Sequence, residues 1–178
     1  DFCLSRGLGD VYKRQIEQIL DENTQLVVIG TGEPRYENLF KHFQWKYPDR
    51  VSANIFFSEQ RAHKLYAAAD AMLVPSRFEP CGLTQLIALR YGTIPIVRET
   101  GGLKDTVSPY NEYENSGNGF SFGNYDSYDM LNVINYAKTI YFTQNEKWQE
   151  IIIRAMKSDF SWNFSADQYA GMYNWLSN

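Results

Sequence analysis

Ala71-Met72-Leu73-Val74-Pro75-Ser76-Arg77-Phe78-Glu79-Pro80-Cys81-Gly82-Leu83-Thr84-Gln85 runs from a short apolar stretch, through a loop held between two prolines, into a segment with helical spacing. Ala71 to Val74 reads as a buried strand ended by Pro75, and Leu83 to Tyr91 as a helix stopped by Gly92. Thr93 to Val97 then reads as a further strand, with Pro95 inside it pointing to a sheet edge or a bulge. This strand–helix–strand unit repeats upstream. Glu59 to Ala69 is a helix with Leu65, Ala68 and Ala69 on one face, and Val51 to Phe57 is a strand with alternating apolar residues. Tyr36 to Tyr47 carries Leu39, Phe40 and Phe43 at helical spacing before Pro48-Asp49 stops it. Gln25 to Gly30 is an apolar run closed by glycine, followed by the turn Gly30-Thr31-Gly32-Glu33-Pro34. Such βαβαβαβ alternation predicts an α/β fold with a mostly parallel, doubly wound sheet, because parallel strands need crossover connections and each helix is long enough to supply one. Beyond Gly101-Gly102 the pattern changes. Pro109 to Gly119 reads as a surface loop and Gly119 to Gly123 as a short extended piece. Asp126 to Phe142, Glu146 to Ser158 and Phe164 to Leu176 read as three helices.

The 178 residues suit one domain, and 44% apolar with 21% charged residues describes a chain with a sizeable core. Disordered, collagen-like and coiled-coil classes are excluded on those figures. No apolar run reaches the roughly 18–20 residues of a transmembrane helix, and the first residues lack the layout of a secretory signal. Two cysteines, Cys3 and Cys81, fit a reducing compartment, so the expectation is a cytoplasmic protein. Lys and Arg are scattered within a net charge of −4, leaving no basic stripe for a nucleic-acid backbone. Asp1 to Gln15 differs from the rest. Ser5-Arg6-Gly7-Leu8-Gly9-Asp10-Val11-Tyr12-Lys13-Arg14-Gln15 has no periodicity and reads as translated adapter sequence joined to a gene fragment, or else as a flexible leader. The domain is therefore expected to span residues 16–178.

In an open parallel sheet, ligands bind outside the carboxyl ends of the strands. The loop from Pro75 to Gly82 lies at such an end. The Gly82-Leu83-Thr84 amides open a helix there, where unpaired N–H groups and the positive dipole end form an anion site suited to phosphate. Gly82 admits a close backbone approach, and the Glu79 carboxylate is placed to accept hydrogen bonds from sugar hydroxyls. On spacing alone, a turn stiffened by Pro75 and Pro80 with a solvated Glu79 competes equally. Arg77 fits either a phosphate contact or a brace against a carboxylate. Cys81, beside a helix N-terminus, reads as a small pocket-lining residue rather than a nucleophile. His63 reads as a surface or crevice-facing helix residue and His42 as plain surface. Neither belongs to a metal-ligating grouping, so no metal is expected. The aromatics Trp148, Phe160, Trp162, Phe164, Tyr169, Tyr173 and Trp175 suggest sugar stacking at first sight, but their helical spacing favours a core or domain-interface face.

Ser76-Arg77-Phe78-Glu79-Pro80-Cys81-Gly82-Leu83-Thr84-Gln85-Leu86, then Arg90-Tyr91-Gly92-Thr93-Ile94-Pro95 and Thr100-Gly101-Gly102-Leu103-Lys104-Asp105-Thr106-Val107, resembles bacterial glycogen synthase and plant starch synthase. Val28-Ile29-Gly30-Thr31-Gly32-Glu33 and Asp159-Phe160-Ser161-Trp162 continue the likeness, which covers about Ile16 to Trp175. A collinear string of this length is specific, whereas a lone Gly-x-Gly is not. The resemblance implies a GT-B glycosyltransferase, in which two Rossmann-like domains face each other across a cleft, with this chain as the C-terminal, nucleotide-sugar-binding half. It implies glucose transfer from ADP-glucose to the non-reducing end of an α-1,4-glucan, with retention and without a metal or other cofactor. It also implies a cytoplasmic setting, or the plastid stroma if the source is a plant. On that likeness the Gly82, Leu83 and Thr84 amides hold the distal phosphate and Glu79 orients the donor sugar, with Cys81 lining the pocket. Phe57 matches an aromatic that stacks on adenine, and Gly30 and Gly32 lie on the nucleotide side.

The sequence also departs from the family pattern. The second glutamate that some related retaining transferases carry eight residues after the first is here Ile87, which excludes a two-carboxylate mechanism through that pair. The family's Lys-x-Gly-Gly loop and acceptor groove belong to an N-terminal domain that is missing here. The resemblance places a phosphate-clamping Arg and Lys before the helix at Ile16 to Leu20, but Arg6 and Lys13 have the wrong surroundings and spacing to serve. Weak donor binding and no transfer by this chain alone are therefore expected. In GT-B enzymes the last helix returns to the N-terminal domain, so part of the aromatic face is expected to be bare and prone to self-association. Two other readings fit: a retaining GT-B transferase using a UDP- or GDP-sugar, or a non-catalytic nucleotide- or glucan-binding module. A dinucleotide dehydrogenase is disfavoured, because Gly30-Thr31-Gly32-Glu33-Pro34 lacks the third glycine.

Overall fold

A helical turn over residues 15–19 (α1) leads into β1 (Leu26–Ile29), α2 (Pro34–Lys46), β2 (Val51–Asn54) and α3 (Glu59–Ala68). β3 (Ala71–Val74), α4 (Thr84–Tyr91), β4 (Ile94–Arg98), α5 (Gly102–Thr106) and β5 (Phe120–Phe122) follow. The chain closes with α6 (Ser127–Thr143), α7 (Asn145–Lys157) and α8 (Trp162–Leu176). This computed structural model describes residues 15–21 and 23–177. Of the expected leader only Gln15 falls within that range. It is 1% exposed, and its Nε2 donates to Ser127 Oγ at 3.2 Å. Residues 1–14 lie outside the described residues.

Every strand pair in the ladders is parallel, as the alternation of elements predicts. β1 pairs with β2 from Leu26↔Val51 to Ile29↔Asn54, β3 with β4 from Ala71↔Ile94 to Val74↔Val97, and β4 with β5 from Ile96↔Phe120 to Arg98↔Phe122. The strands form a two-stranded and a three-stranded sheet rather than one continuous ladder. A cleft of about 560 Å³, lined by all of β1 and all of β3, lies between them. Packing joins the two sheets. Ile16 and Ile19 of α1 and Phe40 and Phe43 of α2 share a buried cluster with Val51 of β2 and with Leu89, Ile94, Ile96, Phe120, Met130, Ile140, Trp148 and Ile151. A second cluster, Tyr66, Met72, Val74, Ala88, Val97, Leu103 and Val107, covers the other face of β3 and β4, as a doubly covered parallel sheet requires.

Besides the split sheet and the unforeseen α5, the structure differs from the sequence reading in the placement of several residues. β2 ends at Asn54, so Phe57 lies in the loop before Ser58, which caps α3 by accepting from Arg61 N–H at 3.3 Å. Pro95 is in neither an edge strand nor a bulge. It pairs with Met72 in the central strand. The adjacent Ile94 N–H donates to Asp70 on the β3 side, so Pro95 nitrogen faces the β5 side, where pairing begins only at Ile96. The missing donor thus falls just before the β5 ladder and costs no bond. Finally, α8 starts two residues earlier than its expected Phe164, because Ser161 caps it by accepting from Phe164 N–H at 3.3 Å. Among the described residues, no helix is long and apolar enough to cross a membrane.

Candidate functional site

β3 and β4 end side by side, and the loops that leave them are built on each other. Arg98, the last residue of β4, donates from Nε to Ser76 O at 2.9 Å and from Nη2 to Arg77 O at 2.8 Å. Its guanidinium also lies 5.6 Å from the Tyr125 ring centroid. Ser76 is fully buried, and its Oγ donates to Glu79 Oε2 at 3.2 Å, which holds the half-buried carboxylate in one direction. From the other loop, Gly102 N–H donates to Glu79 O at 3.2 Å. The contact is so close that a Cβ on Gly101 would lie 1.9 Å from Glu79 O, and one on Gly102 would lie 2.0 Å from Cys81 O. The Gly101-Gly102 pair is therefore the floor on which the Glu79–Cys81 backbone rests.

The loop enters α4 through Gly82, whose φ of +72° lies in the left-handed region that side chains avoid. Leu83 takes the N-cap position with no side-chain acceptor to offer, and is 66% exposed. The first-turn amides of α4 are thus left to solvent or to an anion. Thr84 turns its side chain to the Tyr66 phenol. Burial pushes that phenol above its usual pKa, and the Thr84 hydrogen bond opposes the shift. Cys81 is a free, exposed thiol. Among the described contacts, Arg77 braces no carboxylate. Its guanidinium lies over Phe78 at 5.5 Å and Tyr125 at 6.0 Å, while its carbonyl accepts from Arg98.

The remaining expected residues are dispersed. Gly30, buried at φ +142°, donates its N–H to Asn54 O at 3.1 Å. Gly32 is exposed with open space around it, and its N–H donates to Glu37 Oε1 at 3.0 Å. Phe57 is 71% exposed. Among the described residues, no hydrogen bond joins Gly30, Gly32 or Phe57 to the Glu79–Thr84 loop. The cleft between β1 and β3 reaches Thr84, but neither Glu79 nor Gly82 lines it. Position 87 is an isoleucine packed against the second core cluster. His63 hydrogen-bonds through Nδ1 with Tyr91 hydroxyl at 3.0 Å, at the far end of α4 from the loop, and so does not face the crevice. His42 makes ring contacts with Phe43 and Trp45 and interacts electrostatically with Glu17. Among the described residues, no three His, Cys, Asp or Glu side chains group as a metal site would need.

A carboxylate held beside unpaired helix-opening amides is suited to a ligand with hydroxyls on one side and an anion on the other. The sequence profile described as "Glycosyl transferases group 1" matches residues 10–157, most of the chain. The chain belongs to the group 1 glycosyl transferases. Among curated relatives, this glycosyl transferase is 60% identical over 171 residues to a glycogen synthase of Lachnospira eligens, covering 96% of this chain and 36% of that protein. It is 57% identical to a glycogen synthase of Lachnoclostridium phytofermentans, over 90% of this chain and 34% of that one. The chain thus spans about a third of the length of the curated relatives it matches. Among solved structures, it superposes on the catalytic domain of starch synthase IV from Arabidopsis thaliana, bound to ADP and acarbose. The TM-score is 0.77 at 33% identity, covering 94% of this chain and 34% of that one. HepE of Anabaena in complex with UDP-glucose shares the fold, with a TM-score of 0.64 at 20% identity over 83% of this chain and 39% of that one.

Sequence reasoning named Glu79 and the Gly82–Thr84 amides as candidates but assigned nothing to Ser76, Arg98, Gln85 or Thr106. The residues that hold the loop are ordinary in type, and only their non-local partners distinguish them.

Proposed function

We propose that this chain is the donor-binding half of a glycogen or starch synthase. The whole enzyme transfers glucose from ADP-glucose to the non-reducing end of an α-1,4-glucan with retention of configuration. The observation that carries this reading is the clamped Glu79–Thr84 loop, found in a chain 60% identical to a glycogen synthase. Departure of the nucleoside diphosphate concentrates negative charge on its distal phosphate. Amides fixed at the start of α4 stabilise that charge more in the transition state than in the ground state. The Ser76-oriented Glu79 carboxylate accepts from glucosyl hydroxyls and sets the ring against the departing phosphate. With isoleucine at position 87, no second carboxylate acts from α4. Cys81 lines the same pocket as Glu79 and Arg77 contacts the donor phosphate, while Gly30 and Gly32 lie on the nucleotide side of the crevice and Phe57 stacks on adenine. No metal is required, and the setting is cytoplasmic.

The test is a competition titration of ADP, UDP and GDP against the 178-residue chain, with and without EDTA. ADP is expected to bind most tightly, with no effect of chelator. Tighter UDP or GDP binding would refute the assigned donor. The acceptor groove and the remaining phosphate cations are assigned to the rest of the polypeptide. Glucan elongation by residues 16–178 alone would overturn that division.

A further inference from the structure

Gln85 is 0% exposed in the first turn of α4, where an apolar side chain would satisfy the packing. Its two Nε2 hydrogens are shared among three acceptors, Gly82 O at 2.9 Å and Cys81 O and Thr106 Oγ1 at 3.2 Å each. Its Oε1 is buried without a hydrogen-bond partner, which is destabilising in itself. Apolar burial alone therefore does not explain a carboxamide at this position.

The acceptors suggest what does. A trans peptide unit is planar and points its N–H opposite its C=O, and the described chain has no cis bond. The Cys81 carbonyl shares its peptide plane with Gly82 N–H, and the Gly82 carbonyl shares its plane with Leu83 N–H. Drawing both carbonyls inward onto one buried Nε2 turns both N–H groups outward, away from the core. Thr106 completes the anchor by donating from Oγ1 to Gly102 O at 2.5 Å, and Gly102 N–H in turn holds Glu79 O. Gln85 also accounts for the glycine at position 82, where a Cβ would lie 2.6 Å from Gln85 Oε1.

We infer that Gln85 is a positioning residue that aims the Gly82 and Leu83 amides at the distal phosphate of a nucleoside diphosphate. This rests on the phosphate role proposed above for those amides. Gln85 does not touch the ligand and acts through the two peptide planes.

The test uses the 178-residue chain and compares ADP with AMP, which differ by the distal phosphate alone. The unmodified chain is expected to prefer ADP. Gln85→Met keeps the side-chain length and removes the donors. It is expected to reduce the ADP-over-AMP preference about tenfold while leaving AMP affinity unchanged. A general packing defect would weaken both nucleotides together, and that result overturns the inference, as does a Gln85→Met variant that keeps the full preference. An unmodified chain with no preference for ADP refutes the phosphate reading itself. A second measurement needs no variant. In ¹⁵N spectra, ADP but not AMP is expected to shift the Gly82 and Leu83 amides. An ADP preference without those shifts also overturns the inference.

Discussion

Replacing Gly102 with alanine tests the contact on which the candidate site is built. Gly102 has no left-handed φ, so the effect is steric rather than conformational. The new Cβ would lie 2.0 Å from Cys81 O, and real Cβ contacts essentially never fall below 3.0 Å, so the Glu79–Cys81 backbone must retreat by at least 1.0 Å (3.0 − 2.0). That displacement breaks the hydrogen bond from Gly102 N–H to Glu79 O and the one from Gln85 Nε2 to Cys81 O. Each loss costs about 1 kcal/mol, and local strain adds about 1–2 kcal/mol. The stiffer unfolded chain of an alanine variant offsets about 0.4–1 kcal/mol. The net expectation is a destabilisation of about 2–3.6 kcal/mol, read as a lower urea midpoint at unchanged slope. Gly32→Ala is the matched control. Its Cβ meets nothing within 4 Å, so its stability is expected to hold or to rise by up to about 1 kcal/mol. Coincident midpoints for Gly102→Ala and Gly32→Ala would refute the packing of the two loops.

Glu79→Gln keeps an acceptor for Ser76 Oγ, so the unfolding midpoint is expected to move by less than about 0.5 kcal/mol. In a polypeptide of full relative length the same change is expected to lower glucosyl transfer by about two orders of magnitude, measured with labelled donor. The Asp21 carboxyl is held down to about 2 from the usual 3.8, chiefly by its hydrogen bond from Lys138, which also donates to Ile19 O at 3.3 Å. A depressed carboxylate stabilises the fold above about pH 4, and the contribution fades as pH falls towards 2. Because the pair is partly solvated, Lys138→Met is expected to remove less than about 1 kcal/mol at pH 7 and almost nothing near pH 2, by thermal unfolding at both values. Ser161→Ala removes the cap of α8. It is expected to lower helical circular dichroism without moving the global midpoint, because α8 buries no side chain.

Much of the fold is legible because strand and helix signals are local. Leu26 to Ile29, Ala71 to Val74 and Ile94 to Val97 are apolar runs bounded by turn residues, and each forms a strand. What was misread depends on distant partners. Pro95 marks an edge by its own chemistry, and only the point at which β5 begins to pair explains its place in a central strand. The interruption between β1 and β3 is likewise invisible in sequence, because periodicity identifies strands but does not pair them. The candidate site divides in the same way. Glu79 and Gly82 are marked by residue type and by their position between a strand and a helix. Ser76, Gln85, Arg98 and Thr106 become intelligible only when two loops more than twenty residues apart are seen to share a floor.

The exposed helix α8 raises a separate question. Trp162, Tyr169, Tyr173 and Leu176 are spaced by seven, four and three residues, which places them along one face of the helix. Trp162 is 90% exposed and Leu176 65%, so this face packs on nothing among the described residues. A helix of 15 residues without tertiary packing is marginal in water, and an apolar stripe of this kind favours burial against another surface. At micromolar concentrations and above, α8 is therefore expected to be helical in self-associated chains and frayed in the monomer. Sedimentation velocity and circular dichroism across a dilution series should show association and helicity rising together. A chain ending at Phe160 should remain monomeric with the same unfolding midpoint, because the core clusters contain no α8 residue. A 178-residue chain that stays monomeric at every concentration with α8 amides protected from exchange would refute this reading of the exposed face.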